Sequence, residues 1–593
     1  MQEYDLVVVG SGAAGMTAAL TAAHHGLEPL LVEKATRYGG STARSTGAIW
    51  IPGNQELADS GVKDTPDDGR RYLAHIVGDS SPEPLQRAFI RHGPAMLSLI
   101  QKHTPLYFNW VPRYSDHYPE APGAVAAGRA VEPQPLAADL LGEERERLRP
   151  PYRNAGTGLA VTQAEYRWLN LAARHPLGLW RLLQARLRRY EAAWKKEREL
   201  LTMGQALVAG LRVGLADAGV PLWLDSPLVN LVQDGRQITG VTVLREGKPV
   251  TVRARYGVVL ASGGFEHHEQ LRTEHQREPV GTEWTIGVPE NTGDGIVAGI
   301  EAGAATAVMD DAWWGPAIEL PDGPYFCLAE RALPGCLMVN RDGVRFVNEA
   351  APSVDTVHAM YGPGAGWPTD PSGGPAQNMP TWLIFDERYR SRYPFAGLAA
   401  NEPIPSEWYS YDVVRRAASL PALADRIGVA ADVLCATVDR FNAFAGTGTD
   451  EDFSRGGGAY DRYFGDPRNA PNPCLGAVSH APFYAVRLVP GDLGTKGGLC
   501  TDTSARVLRP DGTSIDGLYA TGNTAAPVMG RTYAGPGATI GPAMTFGYVA
   551  ALHIAARDAT PQADIVVLDV EENSGDTAQA PRVDVMPAAE SPR

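Results

Sequence analysis

The sequence predicts an α/β fold in which one domain is formed by two separate stretches of chain and an α+β domain is inserted between them. Three observations lead to this prediction. The chain begins with a strand, a glycine-rich turn, a helix and a second strand, which is the order of a βαβ unit. A second glycine-rich segment, residues 517–541, lies near the other end. At 593 residues the chain exceeds the size of one hydrophobic core, so we expect at least two domains.

The N-terminal strand and its glycine loop are the strongest signal in the chain. Residues 4–9 are a β-branched apolar run, typical of a buried parallel strand, and an alanine-rich helix follows over residues 16–25. Gly10 allows a tight turn, Gly12 lets the backbone approach a pyrophosphate, and Gly15 lets the helix pack closely on the strand. Because N–H groups at a helix N-terminus bind phosphate, the predicted dinucleotide contacts are Gly10, Ser11, Gly12, Ala13, Ala14 and Gly15.

The second strand ends in an acidic residue. Residues 29–32 form this strand, and Glu33 follows 18 residues after Gly15, where it is suited to accept hydrogen bonds from a ribose diol. Lys34, beside it, is also a predicted cofactor contact. A glycine loop of purely structural use is the alternative, but strand, loop, helix, strand and acid occur here in order.

A second loop of glycine and hydroxyl residues favours FAD over NAD. It follows the acidic residue directly and suits a flavin, which reaches further than a nicotinamide. The order of segments resembles the FAD domains of the fumarate reductase and succinate dehydrogenase flavoprotein superfamily, which implies a Rossmann-like, discontinuous FAD-binding domain. No cofactor-linking histidine occurs near residues 39–47, so we expect noncovalent FAD. The predicted contacts in this loop are Gly40, Ser41, Thr42, Ser45, Thr46, Gly47 and Ala48.

Two later segments fit the same resemblance. Residues 258–264 are similar to the strand and turn that return beneath the dinucleotide, and residues 517–523 to the strand that brings a C-terminal loop to the flavin. Asp294 lies in a glycine-containing turn, where a turn or helix-cap role is the alternative to cofactor contact. The remaining predicted cofactor contacts are Val229, Ser262, Gly263, Asp294, Gly522, Asn523, Ala538, Thr539 and Ile540.

The predicted FAD-binding domain consists of residues 1–283 and 484–558, since its two glycine-rich ends must meet in space. Its first part includes a helical cap segment of about residues 115–200. Residues 284–483, rich in Trp, Tyr, Pro and Gly, are predicted to form the inserted α+β catalytic domain. Residues 559–593 are acidic and rich in Pro and Ala, and we expect a mobile tail there.

Composition and charge exclude several classes of protein. The formal net charge of −15 argues against nucleic acid as a partner. The five cysteines lack CxxC spacing and nearby histidine pairs, so we predict neither a disulfide framework nor a metal site. The sequence begins without a cleavable signal, and no run of about 18 apolar residues occurs. We therefore expect a cytoplasmic protein that does not span a membrane.

The residues near the flavin decide the predicted chemistry. Fumarate reductases that resemble this chain hold a dicarboxylate with a histidine and an arginine. The corresponding stretch here, residues 494–498, reads Gly-Thr-Lys-Gly-Gly and lacks the histidine. The C-terminal loop contains Arg531, but its surroundings are those of another branch. A dicarboxylate pocket is therefore poorly supported.

Three motifs instead resemble the 3-ketosteroid Δ1-dehydrogenase family. They are residues 114–120 (YSDHYPE), 323–331 (GPYFCLAER) and 530–537 (GRTYAGPG), and the similarity spans most of residues 1–557. Segments 203–207 and 345–350 are further matches. The resemblance implies that the catalytic residues are Tyr118, Tyr325, Tyr533 and Gly537, with His117 as the alternative to Tyr118 if the register shifts by one.

The implied reaction is the FAD-dependent 1,2-desaturation of ring A of a 3-ketosteroid. The Tyr533 hydroxyl and the Gly537 amide would donate hydrogen bonds to the ketone oxygen and stabilise an enolate. Tyr325 would be the general base, hydrogen-bonded to Tyr118, and the hydride would go to flavin N5. An external electron acceptor, of which a quinone is one candidate, would reoxidise the flavin. Trp313 and Trp314 are predicted as pocket wall, with core packing as the alternative.

Other activities stay open from the sequence alone. Within flavoenzymes, the alternatives are desaturation at another position of the same ring and reduction of an enoate in the manner of fumarate reductase. A flavin-bound sensor or a steroid-binding protein without turnover is the alternative from another class.

One segment departs from the acidic average of the chain. Over residues 177–198, leucines and aromatic residues recur at helical spacing among seven arginines and lysines. This pattern is typical of an interfacial helix and predicts peripheral membrane contact, through which a lipophilic substrate would be collected. A solvated helix that caps the FAD-binding domain is the alternative.

Overall fold

A computed structural model describes residues 2–152, 161–194, 199–362 and 376–558; for residues 189–194 and 558 it describes the backbone alone. The predicted tail 559–593 and the basic residues Lys195, Lys196 and Arg198 lie outside the described residues.

The strands of this part of the chain fall into two large sheets and three small ones. In chain order they are β1 Gln2–Val9, β2 Pro29–Val32, β3 Ile49–Trp50, β4 Phe108–Trp110, β5 Ala130–Pro133, β6 Leu136–Ala137, β7 Leu200–Leu201, β8 Leu222–Trp223, β9 Leu228–Asp234, β10 Gln237–Arg245, β11 Lys248–Leu260, β12 Thr306–Ala307, β13 Ala312–Leu320, β14 Gly323–Phe326, β15 Cys336–Val339, β16 Thr381–Asp386, β17 Val414–Ala417, β18 Phe483–Thr495, β19 Gly498–Leu499, β20 Arg506–Leu508 and β21 Ser514–Ala520.

The helices pack against the two large sheets. In chain order they are α1 Ala13–His24, α2 Gln55–Asp59, α3 Pro66–Ile76, α4 Glu83–His103, α5 Gln163–Leu169, α6 Pro176–Trp194, α7 Met203–Asp217, α8 Glu269–His275, α9 Asp294–Glu301, α10 Ser353–Tyr361, α11 Glu387–Arg392, α12 Ser406–Ser410, α13 Leu420–Ile427, α14 Ala431–Thr447, α15 Ala459–Phe464 and α16 Ile540–Asp558. Short 3-10 helices are Gly40–Arg44, Gly78–Ser80, Ala138–Arg147, Thr282–Trp284, Glu330–Ala332 and Gly522–Thr524.

The first large sheet has the strand order β20-β21-β11-β1-β2-β8, with β10 and β9 continuing from β11. β1 lies at its centre and pairs in parallel with β2 and β11, while β21 pairs in parallel with β11. The apolar run of β1 is buried on both faces. One face packs against α1, α7 and α16, and the other packs against β10 and α9. A run of valines is expected in such a doubly covered parallel strand, so the predicted α/β class is confirmed.

The second large sheet has the order β14-β13-β18-β16-β15, with β17 beside β18, and all its pairs are antiparallel. Residues of α10 bury one of its faces, and residues of α13 and α14 bury the other. This arrangement is the predicted α+β architecture. β18 pairs within this sheet, although the predicted boundary after residue 483 assigns it to the FAD-binding part. The domain boundaries themselves stay predictions.

No helix in the described ranges combines the length and the apolar character needed to cross a membrane. The described residues also contain no group of three or more His, Cys, Asp or Glu side chains placed to hold a metal ion.

Candidate active site

A cleft of about 2000 Å³ runs between the two large sheets. Its volume is larger than the several hundred Å³ typical of a pocket for one small ligand, so it has room for a dinucleotide and a second molecule. One part, which we call the dinucleotide arm, is lined by residues 9–14, 33–34, 40–46 and 261–263. The other part, which we call the aromatic end, is lined by Tyr114, His117, Tyr166, Trp313, Tyr325, Phe326, Tyr460 and Tyr533.

The glycine loop after β1 makes the dinucleotide arm narrow enough for close backbone approach. Gly10 has φ +107°, and a Cβ atom there would lie 2.3 Å from the carbonyl oxygen of Ala261. A Cβ at Gly15 would lie 1.9 Å from the Gly10 carbonyl oxygen, so this glycine serves helix packing, as predicted. α1 begins at this loop without a side-chain N-cap. A cradle of this shape fits a pyrophosphate at a helix N-terminus.

Glu33 and Lys34 take different positions beside this loop. Glu33 accepts hydrogen bonds from the Ser11 amide at 2.9 Å and the Ser11 hydroxyl at 2.5 Å, so it fixes the glycine loop as well as lining the cleft. Lys34 Nζ lies 2.9 Å from Asp294 Oδ2. Lys34 and Asp294 therefore hold each other across the arm, which gives Asp294 a partner that the sequence did not indicate.

The second loop is a 3-10 helix, Gly40–Arg44, tied to its surroundings by hydroxyl groups. Thr42 Oγ1 accepts from the Ala13 amide at 3.1 Å, and Ser41 Oγ accepts from Val288 and Asn291 at 3.3 and 3.2 Å. A Cβ at Gly47 would lie 2.5 Å from the Met203 carbonyl carbon, so Gly47 is needed for loop packing.

Most predicted cofactor contacts line the cleft, and four do not. Gly15, Gly47 and Ala538 pack behind its wall, while Val229 is a half-exposed strand residue next to Leu228, which does line it. The predicted contacts that line the cleft are Gly10, Ser11, Gly12, Ala13, Ala14, Glu33, Lys34, Gly40, Ser41, Thr42, Ser45, Thr46, Ala48, Ser262, Gly263, Asp294, Gly522, Asn523, Thr539 and Ile540.

Tyr533 and Gly537 lie together at the aromatic end. Gly537 has φ +92°, and a Cβ there would lie 2.4 Å from the Ala48 carbonyl oxygen, so this loop packs directly against the second cofactor loop. Burial raises the pKa of Tyr533, while hydrogen bonds with the Thr539 side chain and the Gly537 backbone act in the opposite direction. The Tyr533 hydroxyl and the Gly537 backbone thus lie side by side.

Tyr325 lies on β14 and has an acidic partner. Its hydroxyl donates to Glu330 Oε1 at 2.5 Å. Burial, the Glu330 charge and the nearby Tyr166 hold the pKa of Tyr325 well above its usual value. Tyr166, from α5 in the predicted cap segment, also hydrogen-bonds with Tyr325. Neither Glu330 nor Tyr166 was found from the sequence, although Glu330 stands inside a motif that the resemblance singled out.

The structure gives the Tyr118 hydroxyl a partner other than the predicted Tyr325. The Tyr118 hydroxyl donates instead to Asp355 Oδ1 at 3.0 Å, and the side chain does not line the cleft. His117 lines it, with its ring edge-on to that of Tyr533 at a centroid distance of 4.8 Å. Burial lowers the pKa of His117 to about 3, so the imidazole is neutral. His117 and Tyr118 stand in a bend of the chain, and both side chains reach the backbone of Tyr533, but only His117 lines the cleft.

A buried ion pair supports the loop that carries Tyr533. Arg129 pairs with Asp116 and, at 2.8 Å, with Asp64, and all three side chains are almost fully buried. Trp50 Nε1 donates to Asp116 at 2.8 Å, while the Trp50 amide donates to the Gly537 carbonyl at 3.2 Å. This cluster links the YSDHYPE motif to the C-terminal loop and was also missed from the sequence.

The cations near the C-terminal loop are paired. Lys496, in the Gly-Thr-Lys-Gly-Gly stretch, is fully buried and lies 3.1 Å from Asp311. Lys496 and the imidazole of His358 counter the effect of burial and hold the pKa of Asp311 at about 2. Arg531 lies 2.9 Å from Asp310. Two cations that carry their own carboxylates are poorly suited to hold a dicarboxylate.

Comparison with known proteins agrees with this geometry. The model of the FAD binding domain family matches residues 5–540. The chain is 53% identical to a 3-oxosteroid 1-dehydrogenase of Mycolicibacterium smegmatis, over 94% of this chain and 98% of that protein. It is 52% identical to one of Mycobacterium tuberculosis, over 94% and 99%. The crystal structure of 3-ketosteroid delta1-dehydrogenase from Sterolibacterium denitrificans, in complex with 1,4-androstadiene-3,17-dione, has a TM-score of 0.88 at 39% identity, with 94% of this chain and 100% of that chain covered.

The family match and the cradle around Gly10 define the class of protein: the chain is an FAD-dependent oxidoreductase. This confirms the predicted cofactor and the predicted enzyme class. Within the class, the chain belongs to the 3-oxosteroid 1-dehydrogenase family of flavoproteins, as the identity over almost its full length shows.

Proposed function

We propose that the chain converts a 3-oxo-Δ4-steroid into the 3-oxo-1,4-diene by 1,2-desaturation of ring A. The observation that carries this proposal is that Tyr325 and the Tyr533–Gly537 pair line one cavity with the dinucleotide arm. The names of the relatives and the steroid bound to the S. denitrificans protein support the substrate class. FAD, bound noncovalently, supplies the hydride acceptor, and an external acceptor, of which a quinone is one candidate, removes the electrons.

The Tyr533 hydroxyl and the Gly537 amide bind the ketone oxygen in this proposal. Both groups are hydrogen-bond donors, and their positions are fixed by the packing of the loop against Ala48 and Trp50. Negative charge develops on this oxygen when a proton leaves the neighbouring carbon, C2. Fixed donors in a site shielded from water stabilise such charge, and losing one typically slows a reaction by about 100- to 1,000-fold.

Tyr325 removes the proton from C2. The neutral His117 and the ring of Trp313 flank Tyr533 and keep the ketone end free of competing charge. Tyr118 contributes through the loop, since its amide donates to the Tyr72 hydroxyl, which itself donates to the Ala534 carbonyl at 2.6 Å. The site residues are thus Tyr325, Tyr533 and Gly537 in contact with substrate, and Tyr118 in support.

The helix α6 is the proposed point of peripheral contact with a membrane. Leu179, Trp180, Leu183 and Leu187 on this helix are 62%, 52%, 46% and 46% exposed. Their spacing places Leu179, Leu183 and Leu187 on one side. α6 packs on α5, which carries the cleft residues Gln163 and Tyr166. An exposed apolar helix beside a cleft for a lipophilic substrate favours contact with lipid over a purely solvated cap.

Anaerobic mixing with a 3-ketosteroid tests the proposed reaction. We expect the flavin absorbance to bleach and a 1,4-diene to form, because no other electron acceptor is present. A different diene would favour desaturation at another ring position. Binding without bleaching would mean a steroid-binding protein without turnover, and either result would overturn the proposal.

A further inference from the structure

Glu330 is a buried carboxylate directly behind Tyr325. It is 5% exposed and does not line the cleft, yet its Oε1 accepts the Tyr325 hydroxyl at 2.5 Å. Backbone N–H groups of Leu328 and Ala396 also hydrogen-bond with this carboxylate. The adjacent Arg331 points away and donates to the carbonyls of Cys327, Glu349 and Ala351. In the described part of the chain, Glu330 therefore has Tyr325 as a side-chain donor and no guanidinium bound to it.

The other titratable groups around Glu330 are held neutral. They come from different elements: Tyr325 from β14, Tyr166 from α5, Tyr389 from α11, and Cys327 and Cys336 from the segments on either side. Burial raises the pKa of each above its usual value, to about 11 for Cys336. Burial also raises the pKa of Glu330, partly offset by the hydrogen bond from Tyr325 and by backbone hydrogen bonds from Glu330, Ala396 and Leu328.

A phenolate at Tyr325 cannot coexist easily with an ionised Glu330. Two negative charges joined by one hydrogen bond repel strongly at a buried site, so such a pair holds one proton between them. Tyr325 can accept a second proton only if its own hydroxyl proton moves on. The acceptor at 2.5 Å is Glu330.

We propose that Glu330 is the positioning residue that accepts the Tyr325 hydroxyl proton while Tyr325 takes the proton from C2 of the steroid. This inference rests on the proposed function. The C2–H bond breaks, and its electron pair moves toward the ketone oxygen held by Tyr533 and Gly537. The C2 proton bonds to Tyr325 Oη, and the former hydroxyl proton bonds to Glu330 Oε1. The substrate is oxidised by loss of a hydride from C1 to the bound flavin, and after product release the extra proton returns to solvent through Tyr325.

The pair Tyr484 and Glu387 offers a matched control. The Tyr484 hydroxyl donates to Glu387 Oε2 at 2.5 Å, the same distance as in the cleft, but neither residue lines the cleft. Glu330→Gln and Glu387→Gln therefore make the same chemical change in the same kind of hydrogen bond. A general loss of stability would affect both, whereas a loss of proton transfer would affect one.

The experiment measures flavin reduction by stopped flow and deuterium incorporation at C2 with the reduced holoenzyme in D2O, where no net oxidation can occur. For Glu330→Gln we expect both rates to fall about 100-fold, the lower range for general-base effects. Glu387→Gln should leave both unchanged.

In the wild type, both rates should rise with pH through the raised pKa of Glu330, because the carboxylate is the active form. This rise should be absent in Glu330→Gln and retained, at a lower rate, in Glu330→Asp.

Two outcomes with the Glu330→Gln variant would overturn the inference. One is deuterium exchange at C2 at the wild-type rate in Glu330→Gln. The other is the same acidic pH dependence of the rates in the wild type and in Glu330→Gln. If Glu330→Gln fails to retain FAD, the pH profile of Glu330→Asp decides, and an unchanged rate there would also overturn it. Adding Glu330→Gln to Tyr325→Phe should cost no further rate if the two act in sequence. A wild type that reduces no flavin would instead refute the proposed function.

Discussion

The two parts of the cleft are built in opposite ways. The dinucleotide arm takes most of its residues from positions 9–48 and presents backbone, glycine and small hydroxyl groups. The aromatic end takes Tyr166, Tyr325 and Tyr533 from segments far apart in the chain. The first part therefore depends on local backbone geometry, and the second on tertiary packing. Changes in the arm should remove the cofactor, whereas changes at the aromatic end should leave it bound and remove the chemistry.

The largest expected effect is that of Gly10→Ala. The new Cβ would lie 2.3 Å from the Ala261 carbonyl oxygen. The atoms nearest to it belong to the backbone, so no flexible side chain can move away to make room. We expect the variant to purify without flavin, as measured by the ratio of flavin to protein absorbance. Gly26→Ala is the control, since Gly26 also has a positive φ, +84°, but nothing lies within 4 Å of the position that its Cβ would take. Equal flavin content in both variants would contradict the role given to the arm.

Tyr533→Phe should have a smaller effect of a different kind. The ring remains in place against His117 and Trp313, so FAD should stay bound. The turnover rate should fall about 100- to 1,000-fold, because one donor to the ketone oxygen is lost. Tyr484→Phe, which removes a hydroxyl outside the cleft, serves as the control for the same atom change. A Tyr533→Phe enzyme with near-normal turnover would show that the aromatic end does not bind the ketone this way.

The smallest expected effect on catalysis is that of Leu179→Gln with Leu183→Gln on α6. Neither residue lines the cleft, so turnover of a water-soluble 3-ketosteroid should not change. Co-sedimentation with anionic liposomes should decrease, because the apolar surface of two exposed leucine side chains is lost from the helix face. Ile300→Gln, which changes an exposed side chain of α9, should not alter sedimentation. Unchanged sedimentation of the α6 variant would remove the membrane contact from the proposal.

The same contrast explains how much the sequence could predict. The α/β class, the glycine loop and Glu33 could be found because strand, turn and helix signals lie within a few residues of one another. The buried cluster of Arg129 and Asp116 could not, since its partners are brought together only by folding. Tyr118 illustrates the limit of a motif. The resemblance located the segment, but a shift of one position in the register changes which side chain lines the cleft.

β18 and Glu330 show two further limits. A strand of thirteen residues has no local signal that tells which sheet it joins, and only the pairing with β13 and β16 places Phe483–Thr495 in the second sheet. Glu330 is a single carboxylate in an ordinary-looking motif. Its importance follows from the tyrosine five residues earlier, which a hairpin and a short helix bring within hydrogen-bonding distance.

The central position of β1 sets an order of events during synthesis. β1 leaves the ribosome well before its neighbour β11, which follows only at residues 248–260, and the wall at Gly522 and Ile540 comes still later. Domains fold as units and mainly once their non-local partners exist. A nascent chain that ends before α16 thus carries the N-terminal fingerprint without a complete flavin site, so flavin capture has to wait until synthesis has passed Ile540.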